Sequence, residues 1–138
     1  MRKTIVLAAG LLTAGMWASA HAEMVAYKAT LNGASEVPPV TTTATGSATV
    51  NVDTASKKVS WSVTYSGLTA AAAHIHCGAA AGANAGVAVS FGTNLASPIS
   101  GSGTMTDAQF ADLTAGKCYV NIHTAANKGG EIRGQLAK

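Results

Sequence analysis

Three histidines are the residues best equipped for chemistry. His74 and His76 stand two apart in Ala73-His74-Ile75-His76-Cys77-Gly78, and His123 ends the run Cys118-Tyr119-Val120-Asn121-Ile122-His123. Both stretches alternate, and a β-strand sends successive side chains to opposite faces of its sheet. Parity therefore puts His74 and His76 on one face of one strand, and Tyr119, Asn121 and His123 on one face of another. A third alternating stretch does the same for Glu131, Arg133 and Gln135. Histidines at i and i+2 sit roughly 6–7 Å apart at the backbone, near enough for both imidazoles to reach one ion. With His123 from a neighbouring strand they form a three-nitrogen site with an open position, which suits copper(II), favoured here, or zinc. Asn121 or Glu131 is placed to orient a ligand imidazole from behind. The plainer reading is that the histidines only pack or hydrogen-bond at strand ends, because His-x-His alone is a weak signal.

The opposite faces carry Ile75 and Cys77, then Cys118, Val120 and Ile122, then Ile132 and Leu136. That side is apolar and fit for a core. Both cysteines fall on it, turned away from the histidines, so a Cys77–Cys118 disulfide is expected in an exported chain, in preference to thiolate ligands. Closing a loop of about 40 residues would stabilise by roughly 3–4 kcal/mol on the chain-entropy model. Glu131 and Arg133 are expected to serve structurally, as an ion pair engaged with Asn121 or with turn carbonyls, ahead of direct substrate contact.

Export is read from the N-terminus. Arg2 and Lys3 precede an uncharged run from Thr4 to Ala20, and Ala20-His21-Ala22 fits a signal-peptidase site, so residues 1–22 are expected to be a secretory signal that takes Trp17 and His21 with it. The run is broken by Gly10, Thr13 and Gly15, against a retained transmembrane anchor. Two of the three net positive charges reside on Arg2 and Lys3. The mature chain, residues 23–138, thus has no basic patch, which argues against nucleic-acid binding. A periplasmic or secreted destination follows.

About 116 mature residues suit a single domain with a modest core. Alternation predicts strands over Met24 to Leu31, Gly46 to Val52, Val59 to Tyr65, Ala73 to Cys77, Gly86 to Phe91, Ile99 to Met105, Lys117 to Thr124 and Glu131 to Leu136. Val59, Trp61, Val63 and Tyr65 form the largest hydrophobic face, so Trp61 is expected in the core. Glu36-Val37-Pro38-Pro39-Val40 is expected to be extended. Thr106-Asp107-Ala108-Gln109 fits a capping box, opening one short helix that Gly116 ends. About eight closely spaced strands indicate an all-β fold, an antiparallel Greek-key β-sandwich or flattened barrel.

The segments Glu36-Val37-Pro38-Pro39-Val40, Ala73-His74-Ile75-His76, Ala115-Gly116, Tyr119-Val120-Asn121-Ile122-His123-Thr124 and Gly129-Gly130-Glu131-Ile132-Arg133-Gly134-Gln135-Leu136 together resemble the CHRD (chordin-type) domain family. The resemblance covers essentially the whole mature chain. It implies a secreted or periplasmic β-sandwich module, of a family in which chordin itself is an extracellular growth-factor antagonist. Where bacterial members usually read His-Ile-His-Gly-Pro and Asn-Pro-Gly-Gly, this chain has His76-Cys77-Gly78 and Asn127-Lys128-Gly129-Gly130. The histidine pattern is also partly similar to the copper site of copper–zinc superoxide dismutases; that likeness implies His74, His76 and His123 as ligands and Arg133 as a guide for anions.

No Gly-x-Ser-x-Gly elbow, paired carboxylates or phosphate-cradling glycine loop is present. Three readings remain: an exported metal-binding module, a copper-dependent redox enzyme, and a non-catalytic module for an extracytoplasmic protein partner with structural histidines.

Overall fold

A computed structural model describes residues 21–138; the expected signal peptide lies outside the described residues except at its last two positions. The chain forms β1 (Met24–Asn32), a 3-10 turn (Gly33–Ser35), β2 (Thr45–Asp53), β3 (Lys58–Ser66), β4 (Ala72–Cys77), β5 (Gly86–Ser90), β6 (Ile99–Thr104), α1 (Asp107–Thr114), β7 (Cys118–His123) and β8 (Ile132–Gln135). Among the described residues, no helix is long and apolar enough to cross a membrane.

The expected all-β architecture is present. The strands pair antiparallel in one ladder of order β5-β4-β7-β8-β1-β2-β3-β6. This sheet folds over on itself, so that its two halves face each other across one core. The inward faces follow the alternation: Tyr27, Ala29 and Leu31 from β1, Ala48, Val50 and Val52 from β2, and Val59, Trp61 and Val63 from β3 are buried. Ile75, Val120, Ile122 and Ile132 meet them from the other half.

Trp61 nearly closes the roll. Its ring stacks on Phe91, just beyond β5, at a centroid separation of 4.7 Å. It also lies against the neighbouring β6, where a Cβ at Gly101 would come within 2.6 Å of the indole. The edge glycine makes room for the largest core side chain. The capping box forms as expected: Thr106 Oγ1 accepts from the Gln109 amide at 3.2 Å, and Gln109 Oε1 accepts from the Thr106 amide at 2.9 Å. Gly116 follows the helix with φ of 74°.

Cys77 and Cys118 are cross-strand partners at one end of the β4–β7 ladder and form a disulfide spanning a sequence separation of 41. Chain entropy assigns such a loop about 4 kcal/mol. Both thiols should therefore resist alkylation until reduced, and reduction should lower unfolding stability by that order. Coincident denaturation curves for the oxidised and reduced protein would contradict the assignment.

Candidate metal centre

The β4–β7 register builds the site. His76 faces Tyr119, His74 faces Asn121 and Ala72 faces His123. His123 is thus diagonal to His74, and all three imidazoles rise from the face opposite the disulfide. The ring centroids are 5.3 Å apart for His74 and His76, 5.0 Å for His74 and His123, and 5.9 Å for His76 and His123.

Backbone carbonyls set the tautomers. His76 Nδ1 lies 2.9 Å from the Ala85 carbonyl, and His123 Nδ1 lies 2.8 Å from the Lys128 carbonyl. A carbonyl only accepts, so each Nδ1 carries the hydrogen and each Nε2 of the neutral rings presents a lone pair. His123 Nε2 is 3.1 Å from His74 Nδ1, which donates to it. His76 Nε2 is buried and has no hydrogen-bond partner. A buried lone pair without a donor is unfavourable, and a cation is a partner that satisfies it. Moving the His74 proton to its other nitrogen makes three lone pairs converge without changing the net charge.

One nitrogen from each ring lies within 4.8 Å of the others. Metal–nitrogen bonds of about 2.0–2.1 Å in tetrahedral geometry hold nitrogens roughly 3.3 Å apart, so small side-chain rotations close the site. Burial, and then the neighbouring His123 and His76, hold His74 below the usual histidine value. Burial also lowers His76, against the opposing effect of the Ala85 carbonyl. Neutral imidazoles at neutral pH are the metal-binding form.

The polar face is not solvent-exposed, as alternation alone would suggest. Two segments cross above it, 33–40 from one side and the loop 78–85 from the other. Arg133 is only 2% exposed. Its guanidinium lies 3.4 Å over the Tyr119 ring, and that ring stacks on His76 at 4.9 Å with an interplanar angle of 8°. Arg133 donates to the Ala83 carbonyl at 2.8 Å and to Asn84 Oδ1 at 3.1 Å. Asn84 Nδ2 in turn donates to the Val37 carbonyl at 2.9 Å, joining the two covers. The guanidinium is therefore a buried strut. It binds turn carbonyls as expected, but it is not available to guide anions.

Glu131 also departs from expectation. It neither pairs with Arg133 nor hydrogen-bonds to an imidazole; its carboxylate accepts from Thr124 at 2.6 Å, Thr42 at 2.8 Å and Asn127 at 3.3 Å. The Thr124 and Thr42 hydroxyls hold it below the usual carboxylate range. The groups that orient His76 and His123 are instead the Ala85 and Lys128 carbonyls, which carry no side-chain signature.

A second acid, beside Asn121, is Glu36, to which sequence reasoning assigned no role. Its only signal was an acid set within an apolar, proline-bounded segment. The Gly33 carbonyl accepts from the Glu36 amide at 3.1 Å and the Val40 amide at 2.9 Å, folding 33–40 back over the sheet. The Glu36 side chain is 4% exposed and meets Asn121 beside Gly130. A Cβ on Gly130, whose φ is 129°, would come within 2.3 Å of Glu36 Oε1 and 2.6 Å of Asn121 Nδ2. Only glycine fits there. Glu36 Oε1 and Asn121 Oδ1 are both buried without partners. Burial pushes the Glu36 carboxyl up to about 7, against the opposing effects of Arg133 and the Asn121 amide.

The structure thus unites His74, His76 and His123, sets Asn121 beside them and Arg133 beneath Tyr119, and holds Glu131 apart. The CHRD domain model matches residues 27–136, a span that includes every one of these groups. The chain belongs to the CHRD domain family. Neither a curated protein nor a solved structure matches it.

A carboxyl whose pKa is about 7 in the folded state and 4.5 as its ordinary value binds more protons folded than unfolded between those limits. Its contribution to stability is full below pH 4.5 and is lost as pH rises through 7. The lowered pKa values of His74 and His76 act oppositely below 6.5, so the comparison with a variant isolates Glu36. Metal-free wild type should lose stability relative to Glu36→Gln between pH 5 and pH 8, measured by thermal denaturation. Parallel pH profiles would contradict this reading.

Proposed function

We propose that this CHRD-domain protein is an exported binder of one transition-metal ion, copper by preference and zinc as the alternative, held by His74, His76 and His123. One observation carries the reading: three imidazole nitrogens converge, two of them with tautomers set by backbone carbonyls, and His76 Nε2 is buried without a partner. Copper is favoured because imidazole sites bind copper(II) above zinc and the other divalent first-row ions. Three ligands leave a coordination position open, which suits storage, carriage or buffering of an exchangeable ion.

Export rests on Arg2 and Lys3, the uncharged run behind them and Ala20-His21-Ala22. The Cys77–Cys118 disulfide is consistent with an oxidising compartment outside the cytoplasm. The interaction-module reading gives no reason for one nitrogen of each of three imidazoles to converge. A superoxide-dismutase-like redox reading loses its proposed anion guide, because Arg133 is covered.

Titration of mature protein with Cu(II) and Zn(II), followed calorimetrically, tests the reading. Wild type should bind about one ion, because the donor set supplies one complete three-ligand site. His74→Ala, His76→Ala and His123→Ala should each weaken binding by more than the roughly 10–100-fold typical of losing an outer hydrogen-bond partner. Glu131→Gln should leave affinity unchanged. Wild-type affinity in all three histidine variants would overturn the reading.

A further inference from the structure

The trail of buried, unpartnered polar atoms does not stop at the histidines. His76 Nε2, Asn121 Oδ1 and Glu36 Oε1 all lack hydrogen-bond partners. Asn121 stands directly across from His74 and two residues from His123, while its amide meets the Glu36 carboxyl beside Gly130. One side chain therefore separates an enclosed acid from the centre.

That acid has no ion-pair partner. Among the described residues the one salt bridge joins Lys57 and Asp107 on the surface. The charged group set against Glu36 is Arg133 of β8, whose guanidinium is directed to Ala83 and Asn84. From β7 Glu36 meets the neutral Asn121; Glu131 is engaged by Thr42, Thr124 and Asn127. A carboxylate buried without an ion-pair partner is disfavoured, so the acid keeps its proton to higher pH than an exposed carboxyl, and an arriving positive charge favours its loss. Its elevated pKa agrees.

Resting on the metal-centre reading, we propose that Glu36 is the counter-charge of that centre: its enclosed carboxyl holds a proton in the metal-free protein at and below neutral pH, in part at neutrality, and gives it up when a divalent ion joins the three histidines. Three neutral imidazoles supply no negative charge, so an incoming ion would otherwise add two positive charges to a buried region that already holds Arg133. The Glu36 O–H bond breaks, the proton passes to solvent, no electron moves, and the site gains one charge in place of two. Buried charges are little screened by salt, so the acid and the ion interact across Asn121. Gly130 is the backbone position that lets the acid reach this amide.

Proton release measures the step directly. Calorimetric titration of mature protein with Zn(II) at pH 7, in buffers of different ionisation enthalpy, counts the protons released per ion. The histidines contribute alike to wild type and to Glu36→Gln, so the difference belongs to Glu36. With its pKa at about 7, wild type should release about half a proton more per ion than Glu36→Gln. That excess should vanish by pH 9, where the acid is ionised before the ion arrives. Infrared difference spectra of wild type at pH 6 need no variant: zinc should abolish the carbonyl stretch of one protonated carboxylic acid. Zinc binding with equal proton release in both proteins, or with that band intact, would overturn the proposal and leave the metal centre standing. A wild type that binds no zinc would remove the metal centre, and the counter-charge with it.

Discussion

The register between β4 and β7 is the constraint on which the molecule depends. A β-sheet has a period of two, so a slip of one residue would turn every side chain of a strand to the opposite face. Here a covalent bond joins the cross-strand pair Cys77 and Cys118 at one end of the ladder. Ile75, Val120 and Ile122, all fully buried, favour the same pairing from the core side. With those inward groups held, His74, His76 and His123 are kept on one face of adjacent strands. The apolar face and the disulfide thus assemble the polar face without touching it.

Holding so many polar groups under cover requires partners for them. Arg133 and Tyr119 form a stacked column beneath His76 and fasten the loop 78–85, whose Ala85 carbonyl then holds the His76 proton on Nδ1. The Lys128 carbonyl does the same for His123. These two imidazoles are oriented from behind, which leaves the Nε2 of each turned toward His74 or the enclosed space between the rings. Preorganisation of this kind lowers the ordering cost of binding.

Alternation carried much of this information. Parity alone placed His74, His76 and His123 on one side and both cysteines on the other, since those assignments need only the strand period. The capping box at Thr106 and Gln109 was equally local. The lost information concerns loops that cross the sheet. Nothing in Gly33 to Val40 or Gly78 to Ala85 announces that these segments cover β7 and β8, so neither the covering of Arg133, implied as an anion guide by the dismutase likeness, nor the burial of Glu36, in a segment expected only to be extended, was legible. Glu131 and Arg133 share parity, yet the turn at Thr124 to Asn127 captures the glutamate first. Carbonyl partners such as Ala85 and Lys128 are invisible in a sequence because every residue has one.

The proposed function stands or falls with a single ion shared by the three rings. X-ray absorption at the zinc and copper edges of the loaded protein reads the ligand shell without reference to affinity or activity. Three imidazole nitrogens are expected, at about 2.0–2.1 Å for zinc, with the outer-ring scattering that histidine produces. A shell of oxygens alone, or one imidazole with the rest from buffer, would contradict it.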